Sequence, residues 1–252
     1  MVRGAGLERA DLQQTAVARG RDPDACDGAM DLATLMTLFS PAFPTGGFAY
    51  SHGLEAAVRE GRVADAGAVR GWVEVLLARG SGWNDLVLMA QAHRAAADGD
   101  KEALAGLAEL ATALSGSAER RRETLTLGAA FLAAARPWIR AEGAGWPLSG
   151  EGAEMPLPVV AGAVACHAGL PLAGSLVAYA HNLSASLVSA AVRLVPLGQS
   201  EWVTVLRDLS PAVVANARRA AGSALDELGS AALVSDIAAM RHETLSTRLF
   251  RS

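Results

Sequence analysis

Lysine and cysteine are scarce in this sequence, and the scarcity limits its chemistry. Lys101 is the only lysine, and the cysteines are Cys26 and Cys166 alone. A lysine nucleophile or Schiff base would therefore have to be Lys101, and two cysteines cannot build a disulfide framework. No apolar leader follows the first arginine, so we expect a cytoplasmic protein. The net charge of −4 at pH 7 argues against nucleic acid as the main partner.

Charge of either sign is missing from residue 155 to residue 192, which raises the question of a membrane span. Gly169 and Pro171 interrupt this run before it reaches the roughly 20 apolar residues that a spanning helix needs. We interpret the run as a helical hairpin buried at the centre of a bundle, and we expect no membrane partner.

Strand-like alternation is also missing, whereas apolar residues recur at helical spacing along most of the chain. The pattern predicts an all-α fold: a single-domain bundle of about ten helices over residues 31–252, after a flexible extension at residues 1–30. Asp31, Asp65 and Ser117 are the expected N-caps. The predicted helices cover residues 32–39, 65–79, 83–97, 100–114, 117–135, 157–168, 171–195, 200–208, 211–228 and 230–245, with a loop over residues 137–156.

The segment "PTGGFAYSHGLE" (residues 44–55) is the least helix-like part of the chain. Its glycines do not make a nucleotide-binding loop, because the Lys–Ser/Thr ending and the preceding strand are missing. Ser51 and His52 would point about 100° apart on a helix, too far for a nucleophile–base hydrogen bond.

A helix that begins near Gly47 would turn Tyr50 to the core and place Phe48, His52, Glu55 and Arg59 on the opposite face. Two interpretations of that face stay open. His52 and Glu55 form a solvated i, i+3 pair, or the face presents an aromatic ring and polar groups to another protein.

The C-terminal sequence "MRHETLSTRLFRS" (residues 240–252) is unusually apolar for a chain end. We predict that Leu233, Val234, Ile237 and Met240 are the core-facing stripe of the last helix. Beyond it, arginines alternate with leucines and a phenylalanine, a mixture typical of interface anchors. The segment is therefore expected to dock, either on the body of the protein or on a partner.

Three motifs in the same order, "FPTGGFAYSHGLE", "SAAVRLVPLGQ" and "MRHETLSTRLFRS", resemble the urease accessory protein family UreF from about residue 32 to residue 252. Thr45, Gly47 and Ser246 depart from residues common in the family. The resemblance implies a non-catalytic, all-helical homodimer without a cofactor of its own. It also implies binding to the accessory protein UreD (UreH in some species) and recruitment of the GTPase UreG, for nickel insertion into apo-urease.

The motifs supply the predicted partner-binding residues. Arg193, matched to a basic residue before "VPLGQ" in the family, is either a helix-end cation or an interaction residue for the GTPase. The full predicted set is Phe48, Tyr50, His52, Glu55, Arg193, Arg241, His242, Glu243, Leu245, Arg248, Leu249 and Phe250.

Two further functional classes stay open. A direct nickel metallochaperone would use Cys166, His167 and His181 as ligands, although no two histidines have the i, i+4 spacing of a helical metal site. A helical hydrolase would use Ser51 or His52. We predict neither a metal site nor a catalytic residue.

Overall fold

The computed structural model describes residues 23–139 and 155–252, with side chains described from residue 28 onward. Within these ranges it is helical and contains no strand, which confirms the all-α prediction and the number of about ten helices. The helices are α1 Pro23–Leu38, α2 Leu54–Arg59, α3 Ala66–Arg79, α4 Ser81–Ala97, α5 Lys101–Ala113, α6 Ala118–Ala135, α7 Leu157–His167, α8 Leu172–Leu194, α9 Gln199–Gly222 and α10 Leu233–His242. Short 3-10 turns cover Gly47–Ala49, Arg136–Trp138 and Leu225–Glu227.

The described residues divide into two units, one that ends at Thr34 and one that covers Leu35–Ser252. Helix α1 begins at Pro23, so Asp31 lies inside it and the predicted N-cap at Asp31 is wrong. Most of the predicted extension at residues 1–30, and of the predicted loop at residues 137–156, lies outside the described residues. The division of the chain at residue 30 stays a prediction.

The core of the second unit is built around α4, which packs along α7 more extensively than any other described pair of helices. Leu86 and Met89 on α4, and Val160 and Val164 on α7, are fully or almost fully buried. A Cβ atom at Gly162 would collide with the Met89 carbonyl oxygen, so glycine permits this close packing. The uncharged run thus supplies core helices, as predicted.

Helix α8 is the one described helix that is long and apolar enough to cross a membrane by length and composition. In this fold 56% of its most apolar window is buried. It packs against α9, α4 and α3. The core helix of a bundle meets the same length and composition test, and α8 occupies that position here.

Capping explains several helix boundaries. The Asp65 carboxylate accepts a hydrogen bond from the Ala68 amide at 2.8 Å, and the Ser117 hydroxyl accepts one from the Arg120 amide at 3.2 Å. Both predicted N-caps are confirmed. The predicted break between residues 208 and 211 is wrong, because α9 runs on through Pro211. Proline removes one helical hydrogen bond, but Pro211 is exposed, so water can reach the carbonyl that this leaves unbonded.

The apolar stripe predicted to anchor the last helix faces outward instead. Leu233, Val234, Ile237 and Met240 are all exposed, Leu233 by 67%. The buried face of α10 consists of Ser235, Ala238, Ala239 and His242. Ala238 and Ala239 are small, which lets α10 lie directly against the backbone of the turn that precedes α2. The close approach of the two backbones, and not the apolar pattern of the helix, therefore determines which face of α10 is buried.

That turn also corrects the predicted helix start at Gly47. A 3-10 turn covers Gly47–Ala49, and α2 begins only at Leu54. Between them His52 has a φ of 52° and Gly53 a φ of 76°. A Cβ on Gly53 would lie 2.6 Å from the Ala239 backbone nitrogen. Positive φ and lack of space both favour glycine at this position.

Candidate partner-binding site

The predicted site residues come from two parts of the chain that lie side by side in the fold. We call residues 46–53 the glycine-rich turn and residues 243–252 the C-terminal segment. The Arg251 amide donates to the Ala49 carbonyl oxygen at 2.8 Å, and the Ser51 amide donates to the Ser252 backbone oxygen at 2.8 Å. Phe250, in the same segment, is buried and only 3% exposed. The C-terminal segment therefore docks on its own chain.

Glu55, the second residue of α2, holds the C-terminal segment. Its buried carboxylate accepts hydrogen bonds from the amides of Leu249 at 3.0 Å and Phe250 at 2.9 Å, and from Arg59 Nη2 at 2.8 Å. Burial by itself would raise the pKa of Glu55, but the two amide hydrogen bonds, with His242 and Arg59, lower the pKa below its ordinary value. The interpretation of Glu55 as half of a solvated pair is wrong.

A second buried carboxylate, Glu119 on α6, anchors the start of the same segment. His242 lies between two carboxylates, with Nδ1 2.6 Å from Glu119 Oε2 and Nε2 3.3 Å from Glu55 Oε2. Arg248 donates to Glu119 as well. Glu243 accepts from the Ala118 amide at 2.7 Å and so adds a carboxylate to the N-terminus of α6. The end of α10 is thereby fixed to both α2 and α6.

A third buried carboxylate, Glu123, lies one turn further along α6. Its Oε1 is 2.8 Å from His52 Nε2 and 2.5 Å from Arg120 Nη1, and its Oε2 accepts from the Ser252 hydroxyl at 2.6 Å. Burial would raise the pKa of Glu123, but Arg120, His52 and Ser252 lower that pKa to about 2. His52 is therefore buried and in hydrogen-bond contact with Glu123, and its prediction as a solvated residue is wrong.

Arg193, an exposed residue at the end of α8, contacts both the glycine-rich turn and the C-terminal segment. Its Nη2 donates to the Phe48 carbonyl oxygen at 2.5 Å, and its Cζ lies 4.1 Å from the centroid of the Phe250 ring. The guanidinium thus bridges the glycine-rich turn and the C-terminal segment, which neither interpretation from the sequence included.

The predicted set splits by exposure. The buried members, which act inside this chain, are Tyr50, His52, Glu55, His242 and Phe250, with Leu245 partly buried. The exposed members are Phe48, Arg193, Arg241, Glu243, Arg248 and Leu249, and Arg241 pairs with Glu60 at 2.8 Å. Phe48 and Leu249 are 74% and 58% exposed. We call Phe48, Arg193, Arg248 and Leu249 the exposed patch.

Sequence reasoning missed the carboxylates of α6. Glu119 and Glu123 stand four residues apart, which puts them on one face of a helix. That spacing in "SAERRRETL" was a usable signal, but three neighbouring arginines make the helix look like a solvated surface. The sequence also contained no sign of a groove of about 470 Å³ that Leu233 and Val234 at the start of α10 form with Trp72 and Val75.

The alternative chemistries find little support in this geometry. The Ser51 hydroxyl donates to the Ser252 backbone oxygen at 2.5 Å, not to His52. Among the side chains described at residues 28–139 and 155–252, no group of three or more His, Cys, Asp or Glu could hold a metal ion. Cys166 is partly buried near the end of α7, and His181 is exposed on α8.

The chain is similar in sequence to known proteins of one family. The sequence model of the UreF family matches residues 63–210. Urease accessory protein UreF of Agrobacterium fabrum is 50% identical over 225 residues, which are 89% of this chain and 98% of that protein. UreF of Mesorhizobium japonicum is 48% identical over 222 residues, 88% and 96% of the two chains. UreF of Brucella ovis is 45% identical over 230 residues, 91% and 98% of the two chains.

Proposed function

This chain belongs to the UreF family, and on that premise we propose that it is a non-catalytic scaffold for nickel insertion into apo-urease. It is a urease accessory protein that acts in urease maturation. In the proposed complex it binds a UreD/UreH-like accessory protein and recruits a UreG-like GTPase. The GTPase supplies the GTP hydrolysis, and nickel is cargo of the complex. The scaffold works as a homodimer in the cytoplasm.

One observation carries the proposal: the exposed patch lies on a base of segments that buried hydrogen bonds hold together. Three buried carboxylates and two backbone hydrogen bonds fix the C-terminal segment. On this base Phe48 and Leu249 point to solvent, with Arg193 and Arg248 exposed as well. Aromatic and arginine side chains are enriched at interface hot spots. The patch therefore suits a partner that offers apolar side chains bordered by carboxylates.

The contacts of Ser51 and His52 support binding over catalysis. Each side chain is buried and already bonded, Ser51 to the Ser252 backbone oxygen and His52 to Glu123. A nucleophile must instead contact its base and a substrate. The proposed role needs no catalytic residue in this chain, because the GTPase partner carries the chemistry.

Reconstitution from purified proteins tests the proposal. The full chain is mixed with the UreD-like protein, the UreG-like GTPase and apo-urease, and complexes are separated by size. We expect a complex with both accessory proteins, and urease activity that depends on this chain, GTP and nickel. The chain by itself should hydrolyse no GTP and should retain no stoichiometric nickel after dialysis.

Two results would contradict the proposed role as a non-catalytic scaffold. GTP turnover by the isolated chain would make it an enzyme. One nickel ion held per chain through dialysis, with urease activated in the absence of the GTPase, would favour the direct metallochaperone.

A further inference from the structure

Arg193 is placed to act on two distant segments at once. It lies in the last turn of α8, where the neighbouring Ala190 and Ala191 are fully buried and fix the helix. From this rigid base the guanidinium reaches the Phe48 carbonyl oxygen at 2.5 Å and covers the Phe250 ring at 4.1 Å. Because these contacts lie beyond its own helix end, a simple dipole contact does not describe the residue.

We infer that Arg193 is a positioning residue that clasps the C-terminal segment onto the glycine-rich turn. Phe250 is buried, whereas its neighbours Leu249 and Arg251 are exposed. The guanidinium of Arg193, itself an exposed residue, lies over one face of the Phe250 ring and covers it. Removal of the guanidinium opens this ring to water and frees the Phe48 carbonyl.

The shape of the guanidinium matters as well as its charge. A planar guanidinium stacks on an aromatic ring while its N–H groups donate in the plane. A lysine ammonium is a compact point charge that satisfies only one of these contacts well. Arg193→Lys therefore keeps a cation at the helix end but loses the clasp.

The clasp also determines the geometry of the exposed patch. Phe48 and Leu249 come from the two segments that Arg193 joins, so their spacing depends on it. This consequence rests on the proposed function. The clasp itself is tested on the isolated chain, so its failure and the failure of the proposed function are distinguishable.

Amide hydrogen exchange on the purified full-length chain tests the clasp. Arg193→Ala should speed exchange at the amides of Leu249, Phe250 and Arg251 by about tenfold, because all three are hydrogen-bonded only while the segment is docked. Amides in the core helix α4 should exchange at the wild-type rate. Arg207→Ala, which removes an exposed arginine paired with its neighbour Asp208, is the matched control and should change nothing.

Two further variants separate shape from charge. Arg193→Lys should resemble Arg193→Ala, and the effect of Arg193→Ala should shrink in a Phe250→Leu background, where the ring is missing. Wild-type protection in Arg193→Ala or in Arg193→Lys would overturn the inference. An undiminished effect in the Phe250→Leu background would overturn it too, as would a loss of protection that extends to α4.

Discussion

Glu55 is the residue on which the hydrogen bonds of the C-terminal segment converge. Its carboxylate accepts from two backbone amides of that segment and from Arg59. Hydrogen bonds to a charged group contribute about 1.5–3 kcal/mol each, roughly twice a neutral one. Loss of the charge therefore weakens several contacts at once, while the shape of the side chain is preserved in glutamine.

We expect Glu55→Gln to lower the free energy of unfolding by about 1.5–3 kcal/mol and to make the C-terminal segment sensitive to protease. Urea unfolding and limited proteolysis measure the two effects. Glu60→Gln is the matched control: Glu60 is exposed and pairs with Arg62 and Arg241, so solvent screens its contacts and we expect no measurable loss of stability. Equal losses in the two variants would contradict the role given to Glu55.

Glu123 links stability to pH. Its folded pKa is about 2, below the ordinary value of 4.5, so its carboxylate is stabilised in the folded state. This contribution is fully present above pH 4.5 and is lost as pH falls from 4.5 towards 2. A shift of this size corresponds to roughly 3 kcal/mol.

Urea unfolding between pH 6 and pH 3 checks this dependence. The wild-type chain should lose stability steadily below about pH 4.5, and Glu123→Gln should lose less across that interval, because it has no carboxylate to protonate there. If the two chains show the same slope with pH, another group causes the acid sensitivity.

The sequence could not reveal that His52 and Glu55 are buried. Their spacing is typical of a solvated pair, but Glu55 is bonded by groups from residues 242–250, and His52 contacts Glu123 on α6. Local periodicity reports which face of a helix is apolar. It does not report that a buried carboxylate finds its donors almost two hundred residues away in the chain.

Among the elements, α10 shows most clearly how backbone contact can override an apolar pattern. The stripe from Leu233 to Met240 has helical spacing and was predicted to face the core, yet the alanine face is buried. The reason is the approach of Gly53 to the backbone of Ala239, which leaves no room for large side chains. Hydrophobic periodicity contains no information about such an approach.

Two glycines with similar φ test this contact. Gly53 has a φ of 76° and no space for a Cβ, whereas Gly61 has a φ of 72° and open space around it. We expect Gly61→Ala to cost about 1–3 kcal/mol from backbone strain alone. Gly53→Ala should cost clearly more, because the added Cβ also pushes α10 away. Thermal unfolding of both variants compares them, and equal costs would show that α10 does not lie against the turn.

At the scale of the whole molecule, the sequence predicted the helical class and the family but not the assembly of the site. Caps such as Asp65 and Ser117 depend on neighbours three residues away, so they were readable. The site, in contrast, forms where the glycine-rich turn, α6 and the C-terminal segment pack together, and these three parts are far apart in the sequence. The structure therefore reassigns buried members such as Glu55 and Phe250 from partner contact to internal docking, and leaves the exposed patch for partners.

We propose that the exposed patch binds the accessory partners, and one binding measurement tests this role most directly. Phe48→Ser combined with Leu249→Ser removes two exposed apolar side chains, and Val203→Ser, at a residue 56% exposed on α9, is the matched control. The free energy of unfolding of each variant should differ from the wild-type value by no more than about 0.5 kcal/mol per surface substitution. Size-exclusion chromatography and calorimetry measure binding to the UreD-like and UreG-like proteins. The double variant should bind at least about tenfold more weakly, because each apolar side chain buried at an interface contributes about 1.5–3 kcal/mol. The control should bind as the wild type does. Wild-type affinity of a stably folded double variant for both partners would show that the exposed patch does not bind them.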